Sequence, residues 1–208
     1  MPDLTQITFL ETEDDLAILY GAPNPVSIEK VMPVVTPLYE KWINASRFCV
    51  LGTYANDRVD LSPRGDDGPV VHVLDPSHIA IPDWRGNNRL DSLRNIMRDG
   101  AVSLMFMAVG STNTVRVVGD ARLSADPEFC DQFRKGRHVP KIVIIVRVNE
   151  VYSQCGRAIL RAGLWNTAPT PDVPTIGDLM VEAKNGDFYD PAYDADWGTR
   201  ASTTLWSD

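Results

Sequence analysis

Cysteine and histidine are scarce in this chain of 208 residues, which has three of each. Cys49, Cys130 and Cys155 are odd in number and widely spaced, so they predict neither a disulfide framework nor a zinc site. The histidines are scattered, which argues against a histidine-based metal centre; they are His72, His78 and His138. We therefore expect a protein of the reducing cytoplasm without a metal site.

Long apolar runs and an excess of basic residues are also missing. No stretch approaches the roughly 20 apolar residues that span a bilayer, and Glu11, Asp14 and Asp15 are out of place in a signal peptide. The 20 Lys and Arg stand against 28 Asp and Glu, a net charge of −8, whereas a nucleic-acid binder is expected to be basic. We expect neither a membrane nor a nucleic acid as partner.

The composition that remains suits a folded domain with an unusual tail. Hydrophobic residues at 44% and charged residues at 23% argue against global disorder. Half of the net charge, −4 of −8, lies in residues 187–208, where five acids face one arginine. The same stretch is rich in aromatic residues, namely Phe188, Tyr189, Tyr193, Trp197 and Trp206. Such a tail predicts an arm that docks against the rest of the protein.

Residues 1–46 have the pattern of an N-terminal helical segment. Thr12 can cap a helix that Gly21 ends. Thr36 followed by Pro37 is typical of a second helix start, which we extend to about residue 45. Between them, Asn24 and the proline after it predict a turn.

Residues 47–165 have the pattern of a β domain. Short helices are predicted over 89–98 and 126–133, and strands over 47–54, 58–62, 70–74, 78–81, 101–108, 113–123 and 142–148. Because strands and helices do not alternate as in a parallel sheet, we predict a mainly β fold, a closed antiparallel barrel of about six strands with inserted helices. A C-terminal helix and the acidic aromatic arm follow in 166–208.

Two segments carry candidate chemistry. The first is placed where a strand ends and reads Ser62-Pro63-Arg64-Gly65-Asp66. An ordinary solvated turn explains every residue in it. In a functional interpretation, Gly65 lets the backbone approach a planar ligand and Arg64 supplies a forked cation. The sequence leaves both interpretations open.

The second segment leads from a strand into a helix, over residues 83–92. A helix N-terminus binds anions readily, because its first N–H groups are unpaired. Arg85, Asn87, Asn88 and Arg89 add donors that suit a phosphate. The alternative is an asparagine-capped helix with solvated arginines. No Walker or dinucleotide-binding glycine pattern accompanies the segment.

Other candidates for catalysis are weaker. The chain has no G-x-S-x-G nucleophile elbow. Cys155 is a candidate reactive thiol at a helix start, although such a cysteine more often packs as a small apolar residue. His72 lies in an apolar strand, which favours a structural histidine.

Taken in order along the chain, four segments resemble the pyridoxamine-5′-phosphate-oxidase-like FMN-binding proteins, over about residues 12–185. They are Ser62-Pro63-Arg64-Gly65-Asp66, the run Ile81-Pro82-Asp83-Trp84-Arg85-Gly86-Asn87-Asn88-Arg89-Leu90-Asp91-Ser92, the strand Thr114-Val115-Arg116-Val117-Val118-Gly119, and Cys155-Gly156-Arg157-Ala158 with Trp165. The resemblance implies a split β-barrel and a homodimer that holds FMN at the subunit interface.

The resemblance also implies roles for single residues. It places Asn87, Asn88 and Arg89 at the FMN phosphate, with Arg85 beside them. It places Arg64 and Gly65, followed by Asp66, along the isoalloxazine ring. Thr114 falls near the polar edge of the ring, on its other side. Trp165, Arg157 and Arg161 fall on the substrate side, which the partner subunit often supplies.

The resemblance does not extend to the substrate-binding motifs of true pyridoxamine-phosphate oxidases. Their Trp-Gln-Gly and Arg-Leu-His segments do not occur in this chain. We therefore expect an FMN-dependent oxidoreductase that transfers hydride between the flavin and an unassigned small molecule, rather than the vitamin B6 oxidase. Two alternatives stay open: a flavin-binding module without turnover, acting as carrier, sensor or electron store, and a split barrel that uses haem or a deazaflavin. No catalytic residue is assigned.

Overall fold

A computed structural model describes residues 3–166, 173–184, 186, 194–195 and 197–206. Before the sheet, a short 3-10 turn at Leu4–Gln6 is followed by three helices, α1 (Glu13–Tyr20), α2 (Pro25–Glu29) and α3 (Pro37–Asn44). Thr12 forms a capping box with Asp15, and Thr36 caps α3, so both predicted helix starts are confirmed. Asn24 caps α2, which replaces the predicted turn with a short helix.

Seven strands form one antiparallel sheet. They are β1 (Phe48–Ala55), β2 (Arg58–Gly65), β3 (His72–Asp75), β4 (His78–Asp83), β5 (Ala101–Met107), β6 (Thr114–Ser124) and β7 (Ile142–Gln154). Their order across the sheet is β2-β1-β5-β6-β7-β4-β3. The prediction of an antiparallel fold is confirmed, with one strand more than the six expected. All seven lie in segments predicted as strands, including β3, a four-residue strand at the edge of the sheet within the predicted hairpin.

The sheet curls into a split barrel around one core. Leu51 of β1 and Ile81 of β4 belong to the same buried cluster, although β5, β6 and β7 lie between their strands in the sheet. A flat sheet would hold these strands roughly 19 Å apart, at about 4.8 Å for each step. The sheet therefore wraps its apolar face inward. Strands β2 and β3 are left as its two edges.

Five further helices are described after β4 in chain order. They are α4 (Asp91–Arg98), α5 (Pro127–Asp131), α6 (Arg157–Ala162), α7 (Ile176–Ala183) and α8 (Trp197–Thr203). Leu93 and Ile96 of α4 enter the main core. Cys130, at the end of α5, packs with Ala80 and Val143 in a second cluster on the outside of β4 and β7. Of the predicted aromatic arm, Phe188, Tyr189 and Tyr193 lie outside the described residues.

Two element boundaries near the candidate segments differ from the prediction. Strand β2 continues to Gly65, three residues beyond the predicted strand end at Ser62, so Pro63, Arg64 and Gly65 belong to a strand and not to a turn. Pro63 is compatible with this position because β2 is an edge strand, where a missing N–H is tolerated. Helix α4 begins at Asp91, two residues later than predicted, so Arg89 lies in the preceding loop.

A register shift between Val118 and Gly119 bends β6 against β7. A Cβ at Gly119 would lie 2.2 Å from the carbonyl oxygen of Arg147, so only glycine fits this close approach. The irregularity allows the two longest strands, which have 11 and 13 residues, to follow the curvature of the barrel.

The three cysteines are free. Cys49 and Cys130 are buried, and burial raises the pKa of Cys49 to about 12, so this thiol stays protonated and unreactive. Cys155 is exposed, so the packed interpretation does not describe it. Among the described residues, no helix is both long enough and apolar enough to cross a membrane.

Candidate functional site

A cleft of about 770 Å³ opens beside the end of β2, the end of β4 and the start of α4. This volume lies in the range of about 300–1,000 Å³ that is usual for small-molecule sites. Most of its lining comes from residues 60–65 and 81–93. Residues 139–142, Val70 and Trp206 complete the wall.

Six of the nine candidate cofactor-binding residues line this cleft, namely Arg64, Gly65, Arg85, Asn87, Asn88 and Arg89. The curl of the sheet brings the end of β2 next to the segment that follows β4, so the two candidate segments meet. The other three candidates, Asp66, Thr114 and Trp165, do not belong to the lining.

Arg64 is the most enclosed cation of the cleft. Its side chain is 17% exposed, and its Nη1 donates to Oδ1 of Asp83, which is 18% exposed. The Nε–H of Arg64 is buried and has no hydrogen-bond partner among the described residues. An unpaired buried donor of this kind costs about 1–3 kcal/mol. An acceptor supplied by a ligand would offset that cost.

The loop before α4 has an unusual backbone. Asn88 and Leu90 both have positive φ angles, 58° and 59°. Leu90 stands at the N-cap of α4, where no described side chain caps the helix. The asparagine cap predicted as an alternative is wrong, because Asn87 Oδ1 accepts from the backbone N–H of Arg89 at 3.1 Å. The first N–H groups of α4 therefore remain available to an anion.

Arg89 lies beside this helix start, which no side chain in the described ranges caps. Its Nε donates to Oδ2 of Asp91 at 2.8 Å, and its side chain is 76% exposed. Arg94 Nη1 donates to the carbonyl oxygen of Arg89 at 2.8 Å and so ties the loop to the helix. An ion pair this exposed contributes little stability, so Arg89 can turn toward an anionic ligand at low cost.

The charges of the described lining favour an anion. Its cations are Arg64, Arg85, Arg89 and Lys141, and its acids are Asp60, Asp83 and Asp91. Each acid has a partner within the protein: Asp83 pairs with Arg64, Asp91 with Arg89, and Asp60 accepts from Ser92 Oγ at 2.8 Å. With these acids satisfied, the cleft presents donors rather than acceptors.

Asp66 lies behind the cleft wall. Its side chain is 2% exposed. It accepts from Nε1 of Trp84 at 3.1 Å, from the backbone N–H of Gly68 at 3.0 Å and from Nζ of Lys135. Asp66 therefore uses its oxygens to hold protein groups and not to face the cavity.

Lys135 has a second acidic partner, Asp67. Burial alone lowers the pKa of Lys135, but the hydrogen bonds to Asp66 and Asp67 outweigh burial and hold that pKa above its usual value. The hydrogen bond from Lys135 also lowers the pKa of Asp67. Lys135 is therefore cationic throughout the neutral range.

Thr114 and Trp165 lie together at another part of the barrel. Thr114 is the buried first residue of β6. Trp165 Nε1 donates to the carbonyl oxygen of Ser111 at 2.6 Å, in the loop that precedes β6. The structure thus brings these two candidates near the same strand end, away from the lining of the cleft.

Several residues of the site were not predicted from the sequence. Asp83 and Trp84 directly precede Arg85 at a strand end, a position that could have suggested them. Lys135 and Lys141 carry no local signal, because only the folded chain brings them here. Trp206 also lines the cleft, and the only hint in the sequence was the aromatic content of the tail.

The protein is thus a split antiparallel barrel whose cleft, beside a helix N-terminus, is rich in hydrogen-bond donors. The sequence model of the family described as pyridoxamine 5′-phosphate oxidase matches residues 35–155, from before α3 to the end of β7. The chain belongs to this family. A search of the curated proteins finds no match.

Solved structures with similarity to the chain have low sequence identity. HupZ of Group A Streptococcus has 18% identity and a TM-score of 0.46, covering 58% of this chain and 94% of that one. A Lactobacillus delbrueckii protein named after pyridoxamine 5′-phosphate oxidase has 21% identity and a TM-score of 0.48, covering 58% and 95%. An FMN-binding protein of Syntrophomonas wolfei has 14% identity and a TM-score of 0.44, covering 55% and 82%. The family membership rests on the sequence match alone.

Proposed function

We propose that the cleft binds FMN and that the protein is an FMN-dependent oxidoreductase of a small molecule. The observation that carries the proposal is the buried Nε–H of Arg64, which has no partner among the described residues. It lines the same cleft as the start of α4, which no described side chain caps. A ligand that joins a planar ring with polar edges to a phosphate satisfies both features. Family membership supports FMN as that ligand.

The phosphate suits the α4 side of the cleft. There no described side chain caps the first N–H groups of the helix, and Arg89 directly precedes that helix start in the chain. Asn87, Asn88 and Arg85 line the same wall. Backbone and side-chain donors together match the several acceptor oxygens of a phosphate.

The ring suits the β2 side of the cleft. Arg64 offers its Nε–H there, and Asp83 holds the guanidinium in place. A Cβ at Gly65 would meet nothing closer than 3.8 Å, so the fold does not require glycine at this position. We infer that Gly65 leaves room for a planar ring to approach the strand.

The flavin, when bound, supplies the redox chemistry, as an acceptor or donor of hydride. The residues of the chain bind and orient it. Arg64 holds a positive charge beside the ring, and the Asp83 carboxylate keeps that charge in place. Ile81 and Pro82, both buried, form an apolar part of the wall and exclude water from it.

We also infer a homodimer with the flavin at the subunit interface. Val59 and Leu61 on β2 are 76% and 69% exposed, and Phe48 on β1 and Met105 on β5 are 36% and 37% exposed. An apolar face of this kind on adjacent strands is typical of an interaction surface. Gly65 borders it, since Gly65 pairs with Phe48.

The strand register explains why two candidate residues lie apart from the cleft. Gly65 pairs with Phe48, Phe48 with Met107, and Met107 with Thr114, so these residues form one row across the sheet. At about 4.8 Å for each of the three strand-to-strand steps, roughly 14 Å of curved sheet separates Thr114 from Gly65 within one subunit. A second copy packed on the row could bring its own Thr114 and Trp165 to the ring.

The decisive experiment is the identification of the bound cofactor. We expect the purified protein to show the visible absorption bands of oxidised flavin and to release FMN on denaturation, identified by its mass. NADH, NADPH and a panel of reductants would then be tested for flavin reduction, followed by reoxidation with oxygen or candidate substrates. Flavin inert to every donor would favour a carrier, sensor or electron store. A haem or deazaflavin spectrum would identify that group as the cofactor in place of FMN. A protein that neither carries nor takes up flavin would overturn the proposal.

The free state of all three cysteines, including the exposed Cys155, is compatible with a cytoplasmic location. We propose this location together with the function. Fractionation of cells that express the protein would test it.

A further inference from the structure

Trp206 belongs to the C-terminal part of the chain, yet it lines the cleft. Its ring meets that of Trp84 edge-on, with 5.3 Å between the ring centroids. The Nζ of Lys135 lies 4.4 Å from the centroid of the Trp206 ring. One residue therefore has two specific contacts at the wall of the proposed flavin site.

Both partners of Trp206 are fixed by the same buried carboxylate. Asp66 accepts from Nε1 of Trp84 and from Nζ of Lys135. Trp84 and Lys135, which we call the Trp206 seat, are thus held in place by contacts independent of Trp206. A seat prepared in this way lowers the entropy cost of docking the tryptophan.

We propose that Trp206 is a ligand-retaining residue: docked on its seat, it closes part of the cleft and slows the exit of the bound flavin. Asp66 is a positioning residue that acts through Trp84 and Lys135. The proposal rests on the proposed function, because the retained ligand is FMN. It assigns a role in the site to Trp206, which the family match over residues 35–155 does not cover.

The contacts are suited to a cover that opens. An aromatic pair and a cation–π contact are weak enough to break often, and together they correspond to about a tenfold to hundredfold change in an equilibrium constant. Trp206 is also only half-buried. Closure therefore delays the exchange of flavin without blocking it.

The first test measures the dissociation rate of FMN from the holoprotein, followed by the recovery of flavin fluorescence after dilution. We expect Trp206→Ala to release FMN about tenfold faster than the wild type. Trp206→Phe keeps a ring in the seat and should restore most of the delay. Leu205→Ala is the matched control, because Leu205 is the preceding residue, is 54% exposed and does not line the cleft. Equal rates for Trp206→Ala and Leu205→Ala in flavin-loaded protein would overturn the proposal and leave the proposed function intact.

The second test separates positioning from general stability. Asp66→Asn should also speed FMN release, with a smaller effect on the association rate. Because Asp66 acts through the seat of Trp206, the double variant Asp66→Asn with Trp206→Ala should release FMN no faster than Trp206→Ala alone. Additive effects would mean that Asp66 has a structural role unrelated to Trp206.

The third test needs no flavin. In protein labelled with 5-fluorotryptophan, the ¹⁹F resonance of Trp84, assigned with Trp84→Phe, should shift in Trp206→Ala but not in Leu205→Ala. An unchanged resonance would overturn the docking of Trp206 whether or not flavin binds. A wild-type protein that takes up no FMN would overturn the proposed function and, with it, the retention of flavin, even where the resonance shifts.

Discussion

Arg64 and Arg89 line the same cleft but differ in their surroundings. Arg64 is 17% exposed, is paired with an enclosed Asp83 and keeps a buried Nε–H that finds no partner in the described part of the chain. Arg89 is 76% exposed and is paired with Asp91 in open solvent. The comparison teaches that the β2 side of the cleft is fixed before a ligand arrives, whereas the α4 side adapts to it. Substitution of Arg64 should therefore weaken FMN binding more than substitution of Arg89.

The largest effect is expected for Arg64→Ala. The substitution removes the charge-assisted contact to the flavin that we propose, worth about 1.5–3 kcal/mol, and leaves Asp83 in the wall without its cation. We expect the Kd for FMN to rise by about a hundredfold or more in a fluorescence titration. Arg64→Lys keeps the charge beside Asp83 but not the forked guanidinium, so its Kd for FMN should lie between those of the wild type and Arg64→Ala. Wild-type affinity in Arg64→Ala would remove Arg64 from the site.

A smaller and salt-dependent effect is expected for Arg89→Ala. Because Arg89 is exposed, its contact with a phosphate is screened, and we expect a loss of roughly tenfold in FMN affinity at low salt that shrinks at high salt. Arg98→Ala is the matched control, since Arg98 lies at the other end of α4. The comparison fails if Arg89→Ala lowers FMN affinity as much as Arg64→Ala does and if that loss is independent of salt.

Gly65→Ala and Gly86→Ala sharpen the comparison without changing a charge. Both glycines line the cleft, and an added Cβ meets nothing closer than 3.8 Å at Gly65 and nothing within 4 Å at Gly86. We expect both variants to keep the wild-type unfolding temperature. Gly65→Ala alone should weaken FMN binding, by several-fold, because the methyl group occupies space that we assign to the ring. Equal affinities of the two variants would contradict that assignment.

The smallest expected effect is on the pH dependence of stability and concerns His72, in the region behind the Trp206 seat. Burial lowers the pKa of His72 below its ordinary 6.5; a smaller influence of Asp66 raises it, and Lys135 lowers it. A depressed histidine pKa contributes stability that is present above pH about 6.5 and is lost as the pH falls through the folded-state pKa. His72 is half-buried, so we expect a loss well under 1 kcal/mol between pH 7.5 and 5.5. Urea unfolding at both pH values should show a smaller pH dependence in His72→Gln than in the wild type.

Local chemistry made much of the fold predictable from the sequence. Thr12 and Thr36 can satisfy the free N–H groups of a helix start, and they do so in the structure. The apolar runs after Arg47 have the period of strands, and each of them contains a strand. The two segments that line the cleft were also identified from their glycine, asparagine and arginine residues.

Other features depend on contacts that only the folded chain creates. Pro63 and Gly65 are ordinary signals for a turn, but their place on an edge strand lets β2 continue through them. Leucine rarely adopts a positive φ, as Leu90 does, and a local pattern favours an asparagine at that cap instead. The contact of Arg64 with Asp83 depends on the curl of the barrel, which no local pattern encodes.

Pro63 also has a consequence for the behaviour of the protein in concentrated solution. Strand β2 is an edge with exposed Val59 and Leu61, which makes it a template for strands of other molecules. A proline cannot donate a main-chain hydrogen bond, so a further strand could not form a complete ladder along this edge. The residue that resembles a turn signal in the sequence thus protects the open side of the barrel against aggregation.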